Sequence, residues 1–260
     1  MSELNSSQAE YLDRCQSSWN ELFNAAKERE ELQFAFALYP EFRGMQSPGW
    51  STAEEASRAL KQYLDLLNSL ESTPIRARIA LSLYSHLSEA SGLYEVPKNM
   101  MRIASGEDYN LWPFQHLTAH HQAAGAAISP NANRVMKDLL GHAHELQLEK
   151  LKSLIVETFD PDLRNAYAHA DYIIWNDGIR LRKRNGGLPS VVPYEKFDMK
   201  LTQAITFFQT LQYAIDEAIS TYSPPIRIIG RLNKDDPAMP AIIAYDESTG
   251  SFSIRTGQGL

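Results

Sequence analysis

The sequence has very little cysteine, the residue that forms disulfides and thiolate metal sites. Among its 260 residues there is one cysteine, Cys15. A single cysteine excludes an internal disulfide and a cluster of thiolate ligands within one chain. Cys15 falls on an apolar helical face and is expected to be a core residue. Scarce cysteine is typical of a reducing compartment, so we expect a cytoplasmic protein.

Long apolar runs and a positive net charge are also missing. The longest stretch without Asp, Glu, Lys or Arg is 109–133, and its three His and two Pro do not suit a transmembrane helix. The first residues lack the pattern of a secretory signal. Lys and Arg number 25 against 32 Asp and Glu, a net charge of −7. A uniformly basic nucleic-acid coat is excluded, although a local basic patch is not. We expect no membrane partner.

Helical spacing of apolar residues runs through most of the chain and predicts a mainly α fold. Asn133 is the expected cap of the longest of the later helices. The predicted helices cover 8–38, 51–70, 74–90, 99–104, 110–125, 134–159 and 198–222.

Two regions are expected to be strands instead. A β-hairpin is predicted over about 172–184, because Asp177-Gly178 lies between β-rich runs and is a strong hairpin turn. After Ser223-Pro224-Pro225, three short strands are predicted over 226–232, 238–245 and 251–255. We therefore expect a helical domain over 1–222 and a C-terminal antiparallel β appendage over 223–260. The appendage is too small to be stable alone and should pack on the helices.

The segment that carries the chemistry lies just before the hairpin. Its helix, predicted over about 161–171, begins with Asp160 as cap and Pro161 in the first turn. At about 100° per residue, Leu163, Ala166, Tyr167 and Ala170 share an apolar face. The opposite arc carries Arg164, Asn165, Ala168, His169 and Tyr172. Ala168 is small, so a partner helix can approach closely at this seam.

The run Leu163 to Tyr172, LRNAYAHADY, resembles the signature of HEPN domains, the higher eukaryotes and prokaryotes nucleotide-binding superfamily. The matching residues are Arg164, Asn165 and His169. The resemblance implies a helical bundle with the hairpin inserted after the motif helix. It also implies a homodimer that cleaves RNA without metal or cofactor, using these three residues. Toxin or phage-defence activity, with an antitoxin or regulatory partner, is a further implication. Some members add a polar group from an earlier helix, for which Glu89, His86 or neither could serve here.

The residue types suit this chemistry on their own. RNA carries its nucleophile, the ribose 2′-OH, so cleavage needs a base, an acid and a cation for the phosphorane charge. A histidine such as His169 can be either acid or base near neutral pH, and Arg164 offers a permanent planar cation. One protomer has one such histidine, whereas a two-fold dimer has two.

A degenerate, non-catalytic HEPN module is the alternative. Arg164 would then pair with an acid such as Asp162, or with a partner protein, and His169 would fill the interface. Such a module would bind RNA, a nucleotide or a protein.

Basic residues alternate along the second hairpin strand. Arg180, Arg182 and Arg184 share one face by the period of two. Together with Tyr172 they are candidate substrate-binding residues that track RNA phosphates, and Trp175 offers a ring on which a base can stack. The competing interpretation is an edge strand protected by charge.

His116, His120 and His121 suggest a helical metal pair, since positions four apart share a face. A metal hydrolase is therefore a third hypothesis. The ordinary interpretation, half-buried or interfacial histidines, is favoured because no Glu follows in a metalloprotease pattern. We assign no metal site.

Overall fold

Helices dominate the computed structural model, which describes residues 6–38, 52–121, 126–182 and 187–256. The mainly α prediction is confirmed. The helices of the described ranges are α1 Ser6–Arg29, α2 Glu31–Leu38, α3 Thr52–Ser69, α4 Pro74–Glu89, α5 Ser91–Ala104, α6 Ala132–Glu145, α7 Glu149–Thr158, α8 Pro161–Ala168 and α9 Tyr194–Ser220.

The strands form small antiparallel sheets. Within the described residues, the strand orders of the sheets are β1–β2, β3–β4–β5 and β6–β7–β8. Their bounds are β1 Ala119–His121, β2 Ala126–Ile128, β3 Tyr172–Trp175, β4 Gly178–Leu181, β5 Ser190–Val192, β6 Ile226–Gly230, β7 Met239–Asp246 and β8 Ser251–Thr256. The predicted hairpin and the three C-terminal strands are present, whereas β5 was not predicted.

The first predicted helix, 8–38, is two helices. The break lies at Glu30, between α1 and α2. Helix α1 is amphipathic, but every residue from Leu32 to Leu38 is buried. A segment that is buried all round must enter the core rather than lie along it. The chain therefore changes direction where this segment begins.

The predicted helix over 134–159 is also two helices, α6 and α7. Gln147 adopts a left-handed φ of 60°, and the N–H of Leu148 bonds to the carbonyl of Ala143 at 2.9 Å. Asn131, and not Asn133, caps α6, with its side chain accepting from the N–H of Arg134. The helix predicted over 99–104 begins earlier, at Ser91, and contains Pro97.

The prediction of a helix over 110–125 is wrong. In the described part of this range, a short 3-10 turn over Gln115–Leu117 precedes β1. Asn99 explains the difference, because its amide donates to the carbonyl of Asn110 and its oxygen accepts the N–H of Asn110, both at 3.0 Å. These bonds tie the backbone of Asn110 to α5, and its carbonyl is not available for a helical bond to residue 114.

The hydrophobic core joins the helices and the C-terminal sheet. Trp19 of α1 packs on Phe207 of α9 with ring centroids 4.9 Å apart, and its indole N–H donates to Thr210. Ile243 and Phe252 of the sheet are buried in the same cluster. At Gly230 a Cβ would lie 2.5 Å from the Cβ of Leu32, so the end of β6 lies directly against α2.

None of the helices in the described ranges has the length and apolar character needed to cross a membrane.

Three helices end in the same way, with a left-handed residue after the cap. These residues are Gly106, Gln147 and Ala170, with φ of 83°, 60° and 55°. In each case the next N–H reaches five residues back, as in the Schellman motif. Only one of the three positions holds glycine, the residue that adopts this conformation without a Cβ penalty.

We predict that Ala170→Gly and Gln147→Gly each raise the free energy of unfolding by about 1 kcal/mol, because the Cβ penalty of the left-handed region is removed. The matched reverse change, Gly106→Ala, should lower it by a similar amount. Urea unfolding followed by circular dichroism measures all three. A loss of stability in both glycine variants would contradict the strain argument.

Candidate functional site

Helix α8 presents the motif, and its N-terminus is well defined. The carboxylate of Asp160 accepts the N–H groups of Asp162 and Leu163, at 2.9 and 3.2 Å, and Pro161 occupies the first turn. Leu163 and Ala166 are buried on the side that packs against α4. The sequence-derived cap and this part of the apolar face agree with the structure.

The end of α8 differs from the prediction. The helix stops at Ala168 rather than at about 171, and His169 is its C-cap. Ala170, expected on the core face, is exposed because it has left the helix in the left-handed conformation. Tyr167 is half-buried, and its hydroxyl donates to Ser82 of α4 at 2.8 Å.

A buried tyrosine holds the junction between α7 and α8. The hydroxyl of Tyr84 donates to the carbonyl of Thr158 at 2.9 Å and accepts the N–H of Asp160 at 2.6 Å. Burial raises the pKa of Tyr84, which keeps its proton available for donation. Thr158 is itself buried and its hydroxyl contacts that of Tyr11. Helices α1 and α4 thus both fix the point where the motif helix begins.

Arg164 is held by a carboxylate from an earlier helix. Glu89, at the end of α4, contacts both Nε and Nη2 of Arg164. The third nitrogen, Nη1, donates to Oδ1 of Asn165 at 2.9 Å. The side chain of Arg164 is 14% exposed. Burial lowers its pKa, although an arginine remains cationic at neutral pH.

Of the two support residues left open by the sequence, Glu89 is therefore the one that contacts Arg164. The ring of His86 lies against that of Tyr63, with centroids 5.9 Å apart. Sequence reasoning missed Asn133, whose amide reaches Oδ1 of Asn165 at 3.3 Å. No local pattern marks Asn133, because the contact joins α6 to α8.

His169 lies on the exposed side of α8, next to exposed Ala168. Five helical steps separate it from Arg164, which is about 7.5 Å along the axis and about 140° around it. The two side chains of one chain therefore leave the helix in diverging directions. An arginine and a histidine aimed at one phosphate are more readily supplied by two copies of the helix than by one.

Strand β4 is the middle strand of the β3–β4–β5 sheet, so the interpretation of its arginines as protection of an edge strand is wrong. The sheet carries the predicted basic residues only in part. Arg180 faces outward beside Ile173 and Val191, its cross-strand neighbours. Its guanidinium bonds to Asp177 at 2.9 and 3.2 Å and lies 5.2 Å from the centroid of Trp175. The charge of Arg180 is thus partly compensated within the hairpin.

The other predicted substrate-binding residues have different surroundings. Arg182 is exposed just after β4 and shares the face of Arg180. Arg184 lies outside the described residues. Tyr172 is half-buried and stacks on Tyr167, with ring centroids 6.1 Å apart and planes 22° from parallel.

A network of polar and charged side chains joins α6 to α5 and to the short 3-10 turn. Asp138 binds Lys98 at 2.8 Å and His116 at 2.7 Å, and Lys98 lies 3.1 Å from Nδ1 of His142. Burial and the nearby Lys98 lower the pKa of His142. His116 is thus a hydrogen-bond partner of Asp138. The side chains of His120 and His121 lie outside the described residues, and the part of the chain that is described groups no three potential metal ligands.

Comparison with family models, with curated proteins and with solved structures finds no match to this chain.

We predict that Tyr84→Phe lowers the free energy of unfolding by about 2–4 kcal/mol, because it leaves a buried carbonyl and a buried N–H without their partner. Tyr94→Phe is the matched control. Tyr94 is equally buried but makes one such bond, to the carbonyl of Leu87 at 2.8 Å, and should cost about 1 kcal/mol. Chemical denaturation compares the two. Equal losses of stability in the two variants would show that the second hydrogen bond of the Tyr84 hydroxyl does not stabilise the fold.

Proposed function

We propose that the protein is a metal-independent endoribonuclease of HEPN type that acts as a homodimer with a composite Arg/His site. The observation that carries the proposal is the fixed orientation of Arg164. Glu89 and Asn165 hold all three of its guanidinium nitrogens at the surface of the motif helix. A fork oriented before its ligand arrives is suited to bind a phosphate and to stabilise the charge that develops on it.

The roles follow from the chemistry of RNA. Arg164 binds the phosphate and stabilises the phosphorane, while one His169 takes the proton of the 2′-OH. The His169 of the second copy gives a proton to the leaving 5′-oxygen. The products end in a 2′,3′-cyclic phosphate and a 5′-OH. Exposed Ala168, between the arginine and the histidine, leaves space for the partner helix.

The outer face of β3–β4–β5 is the candidate path for the rest of the RNA. Arg180, Arg182 and the half-exposed ring of Trp175 combine positive charge with an aromatic surface. That combination binds single-stranded RNA with little sequence preference. We place the activity in the cytoplasm, as that of a toxin or phage-defence effector restrained by an antitoxin or regulatory protein.

One observation favours the second candidate, a non-catalytic HEPN module. Glu89 already neutralises Arg164 within the chain, and a phosphate must compete with that carboxylate. In a module of this kind the same pair would serve only to fix α8 on α4. Whether pure protein cleaves RNA separates the two candidates.

We predict that Arg164→Ala lowers the rate of RNA cleavage by about 10²–10³ and His169→Ala by about 10²–10⁴. Cleavage of a labelled RNA in EDTA, with end-group analysis of the products, is the measurement. Activity should survive EDTA, and DNA should resist because it lacks the 2′-OH. Wild-type rates for His169→Ala, or efficient cutting of DNA, would rule the mechanism out.

His144→Ala is the matched control for that experiment. His144 is also an exposed histidine at the end of a helix, paired with Glu149, and its loss should leave cleavage unchanged. Light scattering should give the mass of a dimer for all the variants. Dimers with one His169→Ala chain should lose most of their activity, because they lack one of the two histidines of the composite site.

We also predict that Arg180→Gln combined with Arg182→Gln weakens RNA binding and lowers the slope of log affinity against log salt by about 0.7 for each phosphate that the variant no longer neutralises. The matched control replaces Arg227 and Arg255 by Gln. These two arginines also share the face of a three-stranded sheet, flanking Ile242. Fluorescence anisotropy at several salt concentrations compares the pairs. An equal effect of both pairs would mean that Arg180 and Arg182 contribute no more to RNA binding than other exposed arginines of the protein.

A further inference from the structure

Arg164 also lines a cavity between α6, α7 and the start of α8. Its volume is about 390 Å³, at the lower end of the range for small-molecule pockets. The lining is mostly apolar and comes from Ala132, Met136, Leu140, Ile155, Val156 and Phe159. A cavity of this size suits one small ligand rather than a chain of several nucleotides.

Most of the polar residues in the lining can donate hydrogen bonds. These donor residues are Ser88, Asn133, Lys137 and Arg164. The carboxylate of Asp160 is there as well, but it caps α8 by accepting two backbone N–H groups. The lining holds two cations and one carboxylate, and Glu89, which is outside the lining, pairs with Arg164. An anionic group would therefore bind Lys137 or take the place of Glu89 on Arg164.

The aromatic ring in the lining, that of Phe159, is held in place by two other aromatic rings. Phe159 meets Tyr94 and Phe207 edge to face, at centroid distances of 5.9 and 5.5 Å. Its remaining surface borders the cavity. A rigid apolar wall beside an arginine matches a molecule with a flat heteroaromatic ring and an attached anionic group.

We propose that this cavity binds the base of a ribonucleotide whose phosphate contacts Arg164. The flat faces of the base lie against the apolar wall, and its polar edge faces Asn133 and Lys137. The proposal rests on the proposed ribonuclease function and extends it: the nucleotide next to the cleaved phosphate is selected by its base. The pocket belongs to one protomer, so each half of a composite site carries its own.

Equilibrium binding tests the proposal without relying on cleavage. Isothermal titration calorimetry of the full chain compares the four ribonucleoside 5′-monophosphates with ribose 5-phosphate, which has the anionic group but no base. We expect at least one nucleotide to bind about tenfold more tightly than ribose 5-phosphate, equivalent to about 1.4 kcal/mol. Equal binding of ribose 5-phosphate and all four nucleotides would overturn the proposal.

Val156 offers a variant that blocks the cavity without disturbing the core. It borders the cavity and is 59% exposed. Val156→Trp should weaken nucleotide binding about tenfold, whereas Val156→Ala, which leaves the cavity open, should change it by about twofold or less. Unchanged nucleotide binding in Val156→Trp would also overturn the proposal.

Three combinations of results separate this proposal from the ribonuclease function. If RNA is cut but no nucleotide binds, the base pocket is wrong and the ribonuclease stands. If nucleotides bind as expected but RNA is not cut, the ribonuclease is wrong and the pocket stands. If no nucleotide binds and Val156→Trp changes the mass found by light scattering, a second copy of the chain covers the groove, and the base pocket is overturned.

Discussion

The hydroxyl of Tyr84 is the contact on which the position of the motif helix depends. It donates to the carbonyl of Thr158, the last residue of α7, and accepts the N–H of Asp160, the cap residue of α8. Leu163 and Ala166 then set the rotation of α8 by packing against α4, the helix that carries Tyr84. The face that bears His169 is therefore the face left outside.

The same helix also supplies the partner of Arg164. Tyr84 and Glu89 lie five residues apart on α4, so one element both anchors the start of α8 and holds its cation. Arg180 is held similarly, by Asp177 across the hairpin turn. Each of these arginines is thus oriented by a carboxylate at the cost of part of its positive potential, within a protein whose net charge is −7. RNA binding would then depend on exchange of ligands around fixed cations rather than on a broad positive field.

Local signals in the sequence were sufficient for several elements. Asp160-Pro161 predicted the start of α8, and Asp177-Gly178 predicted the hairpin, because caps and tight turns are fixed by neighbouring residues. Contacts between distant residues were not predictable in this way. The bonds of Asn99 tie Asn110 to α5 at the point where a helix was predicted to begin. Arg164, Asn165 and His169 were proposed as site residues from the sequence, but the contact of Glu89 with Arg164 spans 75 positions and appears only in the folded chain.

The exposed position of His169 has a consequence for how such proteins diverge over time. The imidazole lies outside the core, at the end of a helix whose stability comes from Leu163, Ala166 and the cap at Asp160. Substitutions of exposed residues usually change stability little, so exchange of this histidine for another polar residue is compatible with the fold. Selection on the fold alone does not preserve the histidine. Descendants that have lost the proposed activity but retain the scaffold and its surfaces are therefore easily reached, each by a single nucleotide change.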